Sequence, residues 1–223
     1  MKPDMDAKIF VLPMISFEWT AVDESLLQYL SHERQKKVNR FYFQSDKRLS
    51  LYAALLTRME LSLALNQPPV SLVFDTDKNQ KPCLRDTDHL YFNLSHTKGL
   101  ILLGIASSPI GVDVEGNQKP AFDIMTNYFH EDEVRYITDV SSEKEKSERF
   151  FHVWTKKEAL TKYLGSGLHN HLKKINTQDI SLQPDFTTWS YESFICSVYS
   201  KTPLKEKPTI VAEADVVNFF RTL

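Results

Sequence analysis

Two cysteines in 223 residues, Cys83 and Cys196, are too few and too far apart for a disulfide scaffold, and no Cys-x-x-Cys pair offers a thiolate knuckle for zinc. They read as ordinary, partly buried thiols. Charge of one sign is equally scarce. With 27 basic and 29 acidic residues the formal net charge is −2, which excludes a whole-protein footprint for nucleic acid or a membrane surface. No apolar run is long enough to span a bilayer. Met1 to Asp6 lack an apolar core followed by a small-residue cleavage site, so the chain reads as soluble and cytoplasmic. There is no residue-level repeat. Nor is there a Gly-x-Ser-x-Gly elbow to make a hydrolase of Ser95-His96, whose side chains would leave a strand on opposite faces.

What is present is a hydrophobic content of 42%, enough to bury one larger core or two small ones. Ala7 to Ile15 reads as a strand and Ser31 to Phe41 as a helix. Ser45 to Leu65 is the clearest helix of the first half, with Leu49, Tyr52, Ala53, Leu56, Met59 and Leu63 at helical spacing until Pro68-Pro69. Strands follow over Ser71 to Phe74, Leu90 to Leu94 and Leu100 to Ala106, the first two separated by a turn at Asp77 to Pro82. A break at Ser107-Ser108-Pro109 leads into a strand over Gly111 to Glu115. Helices are expected over Phe122 to Tyr128, Glu131 to Ile137 and Ser147 to Leu164, with strands near Ile180, Trp189 and Phe194 to Tyr199. Ser141 to Lys146 reads as a charged loop. This is an α+β chain of two halves, residues 1–108 and 109–223.

The chemistry concentrates in the second half. Asp113 and Glu115 lie two apart on one strand and leave it on the same face, close enough to grip one hard cation. Glu158, on the helix after Trp154, is a third carboxylate able to close that site. Its spacing to Lys162 allows either a surface ion pair or a carboxylate on metal beside an ammonium on phosphate. Lys157 falls near the centre of the apolar stripe of Phe150, Val153, Trp154, Leu160 and Leu164. It either snorkels to solvent or aims at a phosphate in a cleft. His169-Asn170-His171 reads as an exposed loop, not a zinc site.

Gly111-Val112-Asp113-Val114-Glu115, followed by Trp154-Thr155-Lys156-Lys157-Glu158-Ala159-Leu160-Thr161-Lys162, resembles the paired motifs of the 4′-phosphopantetheinyl transferase superfamily. The likeness runs through most of the chain and is greatest to the surfactin-synthetase-activating, Sfp-like branch. Asn93-Leu94-Ser95-His96-Thr97 is similar to that branch's Asn-x-Ser-His segment, and Lys81-Pro82 to its Lys-Pro turn. Arg34, Lys37, Arg40-Phe41 and Arg48 resemble its basic coenzyme-binding stretch, and Glu133 a further acidic position. Thr155, where the family commonly has Ser or Cys, the second lysine at Lys156 and the stretch after Leu168 depart from the pattern.

The resemblance implies two similar α/β subdomains related by a pseudo-twofold axis, with coenzyme A in the cleft between them, in a monomer. It implies transfer of the phosphopantetheine arm of coenzyme A to a serine of an acyl or peptidyl carrier protein. Adenosine 3′,5′-bisphosphate is the product released. Mg²⁺, with Mn²⁺ as the other candidate, would sit on Asp113, Glu115 and Glu158. Glu158 is the first candidate for the base and Glu133 the second, while Lys162 stabilises the leaving phosphate. Arg34, Lys37, Arg48, Lys81, Pro82, Ser95, His96, Lys157 and Lys162 would contact the coenzyme, and exposed basic and apolar residues near Gly165 to Leu168 would dock the carrier. Two other readings use the same residues: a Mg²⁺-dependent hydrolase of a nucleotide pyrophosphate, and a catalytically silent carrier- or coenzyme-binding module.

Overall fold

The computed structural model describes residues 6–87, 89–116, 118–165 and 172–223. Ser166 to Leu168, expected to help dock a carrier, and His169 to His171, read as an exposed loop, lie outside the described residues. The chain begins with β1 (Lys8–Pro13) and α1 (Ala21–Leu26), the latter opened by a capping box in which Thr20 and Asp23 satisfy each other's backbone amides. Next come α2 (His32–Asn39), capped by Ser31, and the 22-residue α3 (Gln44–Leu65), which stops where Asn66 turns left-handed at φ 51°. A small hairpin, β2 (Phe74–Thr76) and β3 (Pro82–Leu84), precedes the longer hairpin β4 (Tyr91–Thr97) and β5 (Leu100–Ala106).

The second half opens with β6 (Ile110–Gly116), then α4 (Met125–Tyr128), α5 (Glu131–Thr138) and the 22-residue α6 (Glu143–Leu164). It continues with the hairpin β7 (Phe186–Tyr191) and β8 (Phe194–Ser200), then β9 (Thr209–Ile210) and α7 (Glu213–Arg221). One sheet has the order β4-β5-β1-β9, another β6-β8-β7, and β2-β3 stand apart.

These strands have two buried faces, which explains the unbroken apolar run of β5, buried at every position. One face of β1 and β5, with Phe10, Leu12, Ile101, Leu103 and Ile105, packs under α3 through Leu51, Leu55 and Leu56. The opposite face, with Ile9, Val11, Leu100 and Leu102, packs against Ile110, Val112, Val114, Cys196 and Val198 of the second sheet. Each such side chain contributes about 1.5–3 kcal/mol on burial. The two halves therefore share a core, and α6 covers the far face of the second sheet.

Four expectations shift. The strand expected over Ser71 to Phe74 is a 3-10 turn at Pro69–Ser71 followed by β2, because Pro68-Pro69 favours the turn. Ile180 lies in a turn and is exposed, not in a strand. The charged run from Ser141 to Lys146 is the first turn of α6, since the Ser142 hydroxyl caps the Glu145 amide and Glu143 and Glu145 suit a helix start. Lastly, β9 pairs in parallel with β1, Phe10 opposite Thr209, and α7 packs on α3 with Val216 and Phe220. The expected second half thus gives its last elements to the first. Among the described residues no helix is long and apolar enough to cross a membrane.

Candidate active site

Alternation along β6 sends Ile110, Val112 and Val114 into the shared core, leaving Gly111, Asp113 and Glu115 to face α6. Gly111 is what lets the strand reach the helix. A Cβ there would stand 1.9 Å from the Ala159 carbonyl oxygen and 2.5 Å from the Tyr163 nitrogen, so only hydrogen fits. Glu158 and Lys162 lie one residue before each of those contacts, and the close approach brings both to Asp113.

Lys162 Nζ donates to Asp113 Oδ1 at 2.6 Å and to Ser95 Oγ at 2.9 Å, and Ser95 Oγ donates to the same Oδ1 at 2.9 Å. Asp113 Oδ2 and Glu158 Oε1 are buried with no hydrogen-bond partner. Burial, and then the negative charges of Asp113 and Glu115, push the Glu158 carboxyl up to about 7 despite Lys162. Glu115 is raised by burial and by Asp113, with a hydrogen bond from Trp154 opposing. The ring of Trp154 is stacked on Phe129 at an interplanar angle of 8°. Among the described residues no three Asp, Glu, His or Cys side chains are drawn together as a ready cation site; Lys162 is the cation that Asp113 meets.

Beside this cluster, between β4 and helices α2 and α3, is a cavity of about 330 Å³ whose lining includes Arg34, Lys37, Arg58, Pro82, Phe92 and His96. Arg34 Nη2 is anchored on the Ser50 carbonyl oxygen (2.9 Å) and hydroxyl (3.2 Å), while Arg58 Nη1 donates to the carbonyls of Pro69 and Leu72. The Nε of each is buried without a partner. Desolvation, then the positive charges of Lys162 and Arg34, hold His96 below its usual pKa, so the neutral ring is favoured. Lys81 Nζ donates to the Ile110 carbonyl oxygen at 3.1 Å, and Pro82 also lines a smaller cavity of about 180 Å³ next to it.

Three expected site residues stand elsewhere. Arg48 does not reach the cavity: its guanidinium is spent on Asp23 (3.1 Å), Glu213 (2.6 Å), the Tyr52 hydroxyl and the Ser16 carbonyl, tying α7 to the first half. Lys157 is fully buried and gives its ammonium to Glu133 (2.7 Å) and the carbonyls of Leu172 (2.8 Å) and Ile175 (2.6 Å), so it has no donor left for a phosphate. Glu133 in turn accepts from the His130 amide and from the amide and hydroxyl of Thr177, each at 2.8 Å, which leaves it no role as a base. Sequence shows charge but not the partner that consumes it.

Arg58 as a cation in the cavity wall, Trp154 as a donor to Glu115, and Gly111 as a spacer were not expected from the sequence. Arg58 had a signal, an arginine inside the apolar run Leu55-Leu56-Thr57-Arg58-Met59. Trp154 had only its place in the motif.

Comparison with known proteins gives the chain its family. A sequence model of the 4′-phosphopantetheinyl transferase superfamily matches residues 109–209, and one of the 4′-phosphopantetheinyl transferase N-terminal region matches residues 18–109. The chain is 29% identical over 147 residues to 4′-phosphopantetheinyl transferase Sfp of Bacillus subtilis, a stretch that is 66% of this chain and 65% of that protein. It is 30% identical over 145 residues to psf-1 of Bacillus pumilus, 65% of this chain and 62% of that one. To HetI of Nostoc it is 30% identical over 168 residues, 72% of this chain and 68% of the relative. The matched stretch thus spans a little under two thirds of the Bacillus relatives. With its paired motifs set around Asp113 and Lys162, the chain belongs to the 4′-phosphopantetheinyl transferase superfamily and is of the Sfp type.

Proposed function

We propose that the chain moves the 4′-phosphopantetheine arm of coenzyme A onto a serine hydroxyl of an acyl or peptidyl carrier protein, releasing adenosine 3′,5′-bisphosphate. The observation that carries this reading is the pair of orphaned, buried carboxylate oxygens, Asp113 Oδ2 and Glu158 Oε1, beside the Lys162 ammonium and next to a basic cavity. Hard oxygen donors left unsatisfied in a buried place fit a divalent cation. Asp113, Glu115 and Glu158 would hold Mg²⁺ or Mn²⁺, whose charge, when bound, offsets that of the coenzyme's pyrophosphate.

The chain's own residues do the rest. Arg34 and Lys37 bind the anionic adenylate end, Arg34 with an Nε still unpaired, and His96 offers a neutral ring to the same cavity. Lys162, already between Ser95 and Asp113, stabilises charge on the departing phosphate. Glu158, through the carboxylate oxygen not given to the cation, takes the proton of the attacking serine. No protein nucleophile is required, because such transfer rests on positioning and electrostatics. The enzyme is read as a cytoplasmic monomer of two halves that divide near residue 108, with β9 and α7 returning to the first and the site at the junction.

The test is intact-mass spectrometry of apo acyl and peptidyl carrier proteins incubated with the protein, coenzyme A and Mg²⁺, with and without chelator. A chelator-sensitive gain of one phosphopantetheine group supports the reading. Cleavage of coenzyme A without labelling replaces it with a pyrophosphate hydrolase, and intact coenzyme with no labelling across the panel favours a silent binding module.

A further inference from the structure

β6 is an edge strand of its sheet, and it lies over the face of the β4–β5 hairpin that carries Asn93 and Gly104, with no ladder between them. A buried edge must find partners for its amides and carbonyls. Val112 is fully buried, and its amide donates to Asn93 Oδ1 at 2.8 Å. Because an N–H can only donate, the oxygen of that side-chain amide must be the atom that faces it. The Ile110 carbonyl, next along the same edge, is taken by Lys81. Directly across the β4–β5 pair from Asn93 is Gly104, where a Cβ would come within 2.7 Å of Val112 Cγ1 and 2.9 Å of Ile110 Cδ1. β6 is therefore received by a notch at Gly104 and a hook at Asn93. Asp113 follows Val112, and its partner Ser95 follows Asn93 two residues on, along the same face of β4.

We propose that Asn93 is a positioning residue for the transfer site: by holding the Val112 amide over the Gly104 notch, it sets where Asp113 stands relative to Ser95 and Lys162. The activity arm of this inference rests on the transfer reaction proposed above; the structural arm does not. A shift of about 1 Å in a reacting group is enough to cost on the order of 10²-fold in rate.

Two variants separate the roles. Asn93→Leu keeps the size and removes the acceptor, whereas Asn93→Asp keeps an oxygen in place. Hydrogen exchange at the Val112 amide is read by NMR, alongside kcat. In Asn93→Leu the amide is expected to exchange about 10-fold faster or more while amides of β5 are unchanged. There kcat falls about 10–100-fold, and Asn93→Asp, which restores the acceptor, recovers most of both kcat and the slow exchange at Val112. Unchanged exchange at Val112 in Asn93→Leu overturns the inference. So does wild-type kcat despite faster exchange, or a fall in thermal midpoint that speeds all core amides together. If the wild-type protein transfers nothing, the reaction reading falls, and exchange at Val112 still decides whether Asn93 seats the strand.

Discussion

Lys157 and Lys162 leave the same helix, and each meets a carboxylate, at 2.7 Å in one case and 2.6 Å in the other. Lys157 and Glu133 are wholly buried, and every hydrogen-bonding position of the pair is filled by named neighbours. Around Lys162 and Asp113 the count does not close: Asp113 Oδ2 and Glu158 Oε1 have no partner, and the Lys162 side chain is about a quarter exposed. The same chemistry is a fastener in one place and an open site in the other. What separates them is satisfaction, not charge. Arg48 and Arg34 repeat the contrast in the first half, the former with its donors spent on Asp23, Glu213, Ser16 and Tyr52 and the latter with Nε unpaired at a cavity.

The contrast breaks most visibly in the open pair. Glu158→Gln is expected to lower kcat for transfer by about 10³-fold or more while the thermal midpoint stays put or rises, since it removes one of three mutually repelling carboxylates. In the closed pair the order reverses. Lys157→Met leaves Glu133 as a buried charge without its countercharge and should cost about 3–5 kcal/mol of stability by denaturant titration, with activity lost only in proportion to unfolded protein. A stable, inactive Lys157→Met would place this lysine back in the site.

The arginines sharpen the same point. Arg34→Ala should raise the coenzyme KM about 10-fold or more. Arg48→Ala should leave that KM within about 2-fold and instead destabilise the fold by about 2–4 kcal/mol, because Asp23 and Glu213 lose their cation. An elevated coenzyme KM in folded Arg48→Ala would contradict its assignment to the scaffold.

The mildest effect belongs to Glu60, buried on α3 outside either cluster, whose carboxyl is raised to about 7 by burial with Lys8 opposing. From the ordinary carboxyl value of 4.5 up to about 7 the folded state holds a proton that the unfolded chain has released. Stability therefore falls as pH rises through that window and levels off above it. Glu60→Gln should match the wild type at pH 4 and exceed it at pH 8 by about 1–2 kcal/mol, after discount for the solvent near the group. Thermal melts at the two pH values read this directly.

How much of this was legible beforehand follows from the same distinction. The period of α3 and the continuous apolar run of β5 announce themselves, because burial is written in residue type. Asp113, Glu115, Glu158 and Lys162 were legible through spacing, since strand alternation and helix pitch place them on facing surfaces. β9 and α7 were not, because their place is decided by pairing with β1 and packing on α3, far away in sequence. Nor could the sequence tell Lys157 from Lys162, or Arg48 from Arg34. Which charge is spent depends on Thr177, Leu172, Ser16 and Glu213, none of which lies near its partner in the chain.

The central claim is that the unsatisfied carboxylates at Asp113 and Glu158 are the chemical centre while the saturated pair beneath them is scaffold. Its most direct test is the mass of an apo carrier protein after incubation with coenzyme A, Mg²⁺ and either the wild-type chain or Glu158→Gln, at matched folded concentration by circular dichroism. The account predicts a gain of one phosphopantetheine group with the wild type and none with the variant over the same interval. Labelling by folded Glu158→Gln at a rate near that of the wild type would contradict it.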